Sequence, residues 1–281
     1  MTSGLYMDDV HLDYKSQAPA ILIGSNWKRF RSALERRPMT THRSCYMSLI
    51  ALILLVAPAL AQQETDDIVD ISMRMVAFER TGNYAEALPL AQRAVELSEE
   101  AVGFEHMSTA IYIDHLAVLY HKMGNPQRAE PLFQQAMTIQ EKVAGPDSPA
   151  VATTLTHLAK LYLTTGKAGK AEGLLLRAVA IREKALGPEH VSVATLLNDL
   201  AVLYEVEGNY DKAAPLFRRS LAIQEKTIGP THPSVAITLD NYARLLRNTH
   251  HPDEAVQLEA RAKSIRDKAS SNGADRPLKT P

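Results

Sequence analysis

The stretch GPTHPSVA, Gly229 to Ala236, gathers a glycine, two prolines, a histidine and a serine. Those residue types could ligate a metal or move a proton. The same place holds GPEHVSVA at Gly187–Ala194 and GPDSPAVA at Gly145–Ala152. His106, His190 and His232 recur there, but the third copy has Ser148. A ligand that a neighbouring copy dispenses with is poor evidence for an ion. A metal shared by His115 and His157, with Asp199 as third ligand, would need side chains from neighbouring repeats to converge. Packed helices lie about 10 Å apart, which is long for one ion. His250-His251 precedes Pro252 in a turn and reads as surface. The chain has no GxSxG, HExxH, P-loop or paired cysteine, so no constellation for hydrolysis or phosphoryl transfer is present. No catalytic, metal or cofactor site is expected.

The elements that carry these residues repeat. From Gly208, steps of 42 residues reach Gly166, Gly124 and Gly82 backwards and His250 forwards. Five residues on stands Ala87, Ala129, Ala171, Ala213 and Ala255; eight on stands Leu90, Leu132, Leu174, Leu216 and Leu258. Leu200-Ala201-x-Leu203-Tyr204, like Leu158–Tyr162 and Leu116–Tyr120, is a helical apolar stripe. It defines a first helix of each repeat. Gly208 ends that helix, Asn209 is a cap, and a second helix spans Tyr210 to Thr227. Small alanines let the pair approach closely. Pro89, Pro131 and Pro215 fall early in the second helices, where free N–H groups make proline cheaper. In GPTHPSVA, Gly229 stops the second helix, Pro230 blocks continuation, and Ser234 caps the next helix as Ser192 does its own. The loop is punctuation.

A formal net charge of -1, with Lys and Arg balanced by Asp and Glu through the repeats, gives no pull toward nucleic acid. The single cysteine, Cys45, excludes an intramolecular disulfide. The apolar run SLIALILLVAPALA, Ser48 to Ala61, is short for a membrane span but suits the core of an export signal. Arg36, Arg37 and Arg43 precede it, and Ala59-Leu60-Ala61 fits the cleavage pattern. The domain order is an N-terminal extension at 1–46, with translation beginning at Met39 or Met47, then a signal or anchor at 47–61. A linker at 62–67, a helical array at 68–268 and a disordered tail at 269–281 complete it. The expected location is the periplasm or outside the cell. A retained anchor in the inner membrane is the alternative.

The pattern Leu200-Ala201…Tyr204…Gly208…Tyr210…Ala213…Phe217 resembles the tetratricopeptide repeat (TPR). The 42-residue period, the GPxHPxVA linker and the AxPLF second helix resemble its kinesin light chain subtype. The resemblance covers about Ile68 to Lys268. The first copy departs from it at Arg74, Met75 and Phe78, and the fifth at His250 and Glu259, as end repeats do. It implies an all-α fold, a right-handed α-solenoid of about five helix pairs whose first helices line a concave face.

Two columns run along that face, His115/His157/Asp199/Asn241 and Val118/Lys160/Val202/Arg244, with Asn198 beside Asp199. The resemblance implies that Asn241 and Arg244, with Lys160, hold a peptide backbone or terminal carboxylate. The plain alternative is a solvated helix face. His115, His157, Asp199 and Asn198 complete the candidate partner-binding set, and the two histidines raise the idea of pH sensing. The expected function is a non-catalytic scaffold for a protein or peptide. Self-assembly within an anchored complex is the alternative.

Overall fold

The computed structural model describes residues 67–274, with side chains through Ser270. The N-terminal extension, the apolar run and its cleavage site lie outside the described residues. Among those described there are ten helices and no strand. They fall in two compact units, divided after Phe104.

The first unit contains α1 (67–80) and α2 (Tyr84–Val102). α1 buries Met75 and Ser72 and leaves Asp67, Asp70 and Arg74 exposed. Asp70 and Arg74 are 3.5 Å apart, one helical turn on. In later copies the position of Arg74 is a buried leucine, Leu116, Leu158 or Leu200. Thus the departure at Arg74, with Asp70 beside it, gives α1 a charged, water-facing side.

The second unit is an α-solenoid of four pairs: α3 (Met107–Lys122) with α4 (Pro126–Ala144), α5 (Pro149–Thr164) with α6 (Ala168–Leu186), α7 (Val191–Val206) with α8 (Tyr210–Thr227), and α9 (Pro233–Asn248) with α10 (Pro252–Ala274). The alanine column is fully buried at Ala129, Ala171, Ala213 and Ala255. Phe133 and Phe217 fill the second-helix core. Each pair also packs on the next. Leu221 of α8, for example, shares a core with Val235 and Leu239 of α9 and Ile265 of α10.

The two turn types differ. Within a repeat, Gly208 takes φ 76°, and Asn209 N–H donates to the Tyr204 carbonyl at 2.7 Å, a left-handed helix end. The fifth copy makes the same turn with His250 at φ 63°, where His251 N–H donates to the Leu246 carbonyl. Between repeats, Gly187 takes φ 88° and ψ 156°, a region open essentially to glycine alone.

Helix starts correct the expectation for Ser192 and Ser234. The capping residues are His190 and His232, whose Nδ1 atoms accept from Ser192 N–H at 3.1 Å and Ser234 N–H at 3.3 Å. His106 does the same for α3. In the copy without histidine, Ser148 Oγ accepts from Val151 N–H. The recurrent histidine is a cap two residues earlier than a serine reading places it. Asn209 stands at the cap of α8 without a side-chain capping bond, its amide donating to Glu207 instead, whereas Asn125 accepts from Arg128 N–H.

Pro89, Pro131 and Pro215 are sixth in their helices, one turn past the free N–H groups, so each removes an intrahelical bond. The array also runs beyond Lys268: α10 continues to Ala274. Its extension is local, with Ser270 Oγ donating to the Arg266 carbonyl. Residues 269–274 are therefore helix rather than disordered tail. No described helix is long and apolar enough to cross a membrane.

Candidate functional site

The first helices of neighbouring repeats, α3, α5, α7 and α9, approach closely enough for their side chains to touch. The contacts join residues 43 or 39 apart, not 42, so each rung is staggered against the repeat. His157 Nδ1 lies 2.7 Å from Asp114 Oδ2. Asn241 donates to Asn198 Oδ1 at 3.1 Å. Lys160 Nζ lies 3.0 Å from Asp199 Oδ2, an ionic contact off the hydrogen-bonding direction. Arg244 donates both Nε and Nη2 to Glu205, each at 2.8 Å, and Asn248 adds a third donor at 3.1 Å. Arg244 Nη1 also reaches Asn241 Oδ1 at 3.4 Å.

Every residue of the candidate set therefore lies on or beside this ladder, yet not all of them face an open surface. Asp199 is only 4% exposed and Asn198 6%. These two tie adjacent helices, which corrects the expectation of a free ligand face at their positions. Lys160 and Arg244 stay partly exposed, but each neutralises a buried carboxylate. A bidentate grip by Arg244 on a terminal carboxylate would leave Glu205 unpaired at a cost of several kcal/mol. The hydrogen bonds Arg244 donates to Glu205, with the opposing charge of that carboxylate, raise the Arg244 pKa above its ordinary value. Groups for neutral polar contacts are better placed. Asn241 has two amide N–H groups, of which one goes to Asn198. Val206, on the same face of α7, is 66% exposed.

The α3–α5 rung encloses two polar atoms. Asp114 Oδ1 and His115 Nδ1 are buried without hydrogen-bond partners. Burial lowers the His115 pKa, against the pull of Asp114. Burial would raise Asp114, but the charges of His157 and His115 outweigh it and hold the carboxyl below its usual range. His115 and His157 do not share a ligand: among the described residues no group of three or more His, Cys, Asp or Glu could hold a metal ion.

Sequence reading missed Asp114, Glu205 and Asn248. Each is polar within an otherwise apolar helix, a signal in itself, but their partners lie off the 42-residue step. It also missed the ties between second helices. Arg177, Arg219 and Arg261 pair with Glu141, Glu183 and Glu225. Each arginine also donates to a loop carbonyl, that of Pro146, Pro188 or Pro230.

No curated protein matches the chain. Among solved structures, a kinesin light chain-like protein of Podosopora anserina with nearly identical TPR-like repeats is 27% identical, with a TM-score of 0.60, covering 73% of this chain and 96% of that one. BtubC (BKLC) of P. vanneervenii is 23% identical with a TM-score of 0.63, covering 86% and 97%. The Rap conjugation gene regulator of plasmid pLS20, in complex with the Phr* peptide, is 14% identical with a TM-score of 0.59, covering 70% and 52%. The last two likenesses are of fold alone. The tetratricopeptide repeat family model matches residues 75–142, 108–184, 165–223 and 192–268. With the repeated pairs, the glycine turns and the buried alanine column, this places the chain in the tetratricopeptide repeat family, with repeats of the kinesin light chain-like kind.

Proposed function

We propose that the protein is a non-catalytic scaffold that holds a protein or peptide partner along the first-helix face of its repeats. The observation that carries this reading is the polar ladder itself. Four successive helices present amide and charged groups in one staggered line, fixed by their mutual bonds before any ligand arrives. Preorganisation of this kind lowers the ordering cost of binding. The fold supports a protein-binding role, and a protein of similar fold was solved with a peptide. His157, Asn198 and Asp199 then act chiefly by fixing the helices, with His115 Nδ1 buried beside them. Asn241 and Val206 make the partner contacts, while Lys160 and Arg244 stay paired with Asp199 and Glu205 and border them.

Export to the cell envelope is part of the proposal. Its support is the apolar run Ser48–Ala61, with arginines before it and Ala59-Leu60-Ala61 at its end. An intact mass starting at Gln62 would agree with it. A mass that includes Lys28 would exclude it.

The test of the binding face uses Val206→Glu with Asn241→Ala, two changes that leave both buried carboxylates paired. Crosslinking capture from whole cells is compared with wild type after circular dichroism shows equal helix content. Loss of a partner that wild type captures is the expected result. Equal capture by both would remove the first-helix face from consideration.

A further inference from the structure

The α3–α5 rung holds titratable groups that the binding role does not require. Asp114 is 5% exposed. One of its oxygens meets His157, and the other is buried and unpartnered. His115 beside it buries Nδ1 with no partner. Farther along α3, His121 Nε2 lies 2.8 Å from Thr164 Oγ1 of α5. Two contacts between these helices thus pass through imidazole rings. The buried Asp114 and His115 atoms are out of reach of a ligand side chain, but a proton can arrive by brief opening of the contact, whereas the His121–Thr164 contact lies at the surface.

We propose that the contact between α3 and α5 is an acid-sensitive joint, closed while His115 and His121 are neutral and loosened when they take up protons. The joint does not depend on what the first-helix face binds. The groups that face His157 across it are Asp114, His115 and His121 on α3. On its own helix stands Lys160, whose charge is balanced by Asp199 of α7. From α4 the ring of Phe133 packs at 6.0 Å. Among the described residues the only carboxylate against the rings is therefore Asp114, and His157 already occupies one of its oxygens. A proton on His115 or His121 adds charge to a site that also holds His157 and Lys160.

The direction in pH follows. Burial, then Lys122, His157 and Lys160, lowers the His121 pKa to about 4. His115 is lowered from its ordinary value by burial. Above the ordinary histidine pKa of about 6.5 both the closed and open joints hold neutral rings, so pH has no effect. Below it the open form gains protons that the closed form refuses. The joint weakens continuously as pH falls toward about 4. The depressed Asp114 carboxyl remains charged through this window, and its own contribution is lost only at still lower pH.

Hydrogen exchange of the full chain provides the test, with protection factors corrected for intrinsic rates. Protection of α5 is expected to fall about tenfold or more between about pH 7.5 and about pH 4.5. The readout is α5 because its cap is Ser148, which does not titrate; α7, capped by His190, controls for histidine caps. A His115→Gln, His121→Gln variant should lose this fall. An α5 response no larger than that of α7, or one that persists in the variant, would overturn the joint. Should the variant fail to fold, the wild-type histidine ring resonances decide. Two rings that stay neutral to about pH 5 support the joint, and titration of every ring near the ordinary value of about 6.5 overturns it.

Discussion

At the scale of single residues, Glu205 has the most at stake. Its carboxylate is almost fully buried and receives three hydrogen bonds, two from Arg244 and one from Asn248. Removing Arg244 leaves a buried charge with one neutral donor. Arg244→Ala should therefore cost about 2–3 kcal/mol, below the usual range for a fully buried pair because Arg244 is half exposed. Glu205→Leu with Arg244→Ala should recover most of that loss. Chemical denaturation of the three proteins checks both statements, and a double variant as unstable as the single one would refute the account. The histidine caps offer a second case. His190→Ala should cost about 1 kcal/mol and His190→Ser nearly nothing, since Ser148 already serves in that role one repeat earlier. The sequence made this place recognisable as a helix start. It hid the capping group, because an imidazole rarely fills a position where short hydroxyl and amide side chains are favoured. Thermal midpoints of the two variants separate the possibilities.

At the scale of elements, the glycines are not equivalent, although they recur with equal regularity. The turn inside a repeat is left-handed, and His250 shows that another residue can occupy it at a cost. His250→Gly should stabilise the α9–α10 pair by about 0.5–1 kcal/mol by removing that strain. The turn between repeats lies in the glycine-only region, with Gly103, Gly145 and Gly187 all near ψ 160°. An added Cβ at Gly187 meets no atom within 4 Å, so the penalty there is purely conformational. Gly187→Ala should cost about 2 kcal/mol, with the array still formed. Equal costs at Gly187 and Gly208 in denaturation would contradict the distinction. Helix order, helix pairing and the buried alanine column were legible in the sequence because each rests on local apolar spacing. Turn type was not, because one residue identity serves two backbone conformations. The arginine ties were equally hidden: Glu183 and Arg219 recur in column with their counterparts, but nothing in either helix alone says that they meet.

At the scale of the second unit, stability is a chain of neighbour contacts. Each helix packs on its partner and on the adjoining pair, and the polar ties between first helices join neighbouring repeats. This explains why the fold was readable and the site less so. A column of like residues is visible in a repeated sequence, but the rungs connect residues 43 and 39 apart, a stagger set by how neighbouring helices are tilted and offset. Lys160 and Arg244 look like free cations along the column, and only the stagger reveals Asp199 and Glu205 beneath them. The same nearest-neighbour order governs how damage spreads. Leu239 is fully buried in the core shared by α8, α9 and α10. Leu239→Ala should cost about 2–5 kcal/mol locally, but α3 to α6 share none of that core. Residue-resolved hydrogen exchange should show α9 and α10 opening first and α3 to α6 keeping their protection. A uniform loss across all eight helices would mean that the unit unfolds as one body, and that its repeats are coupled beyond the contacts between neighbours.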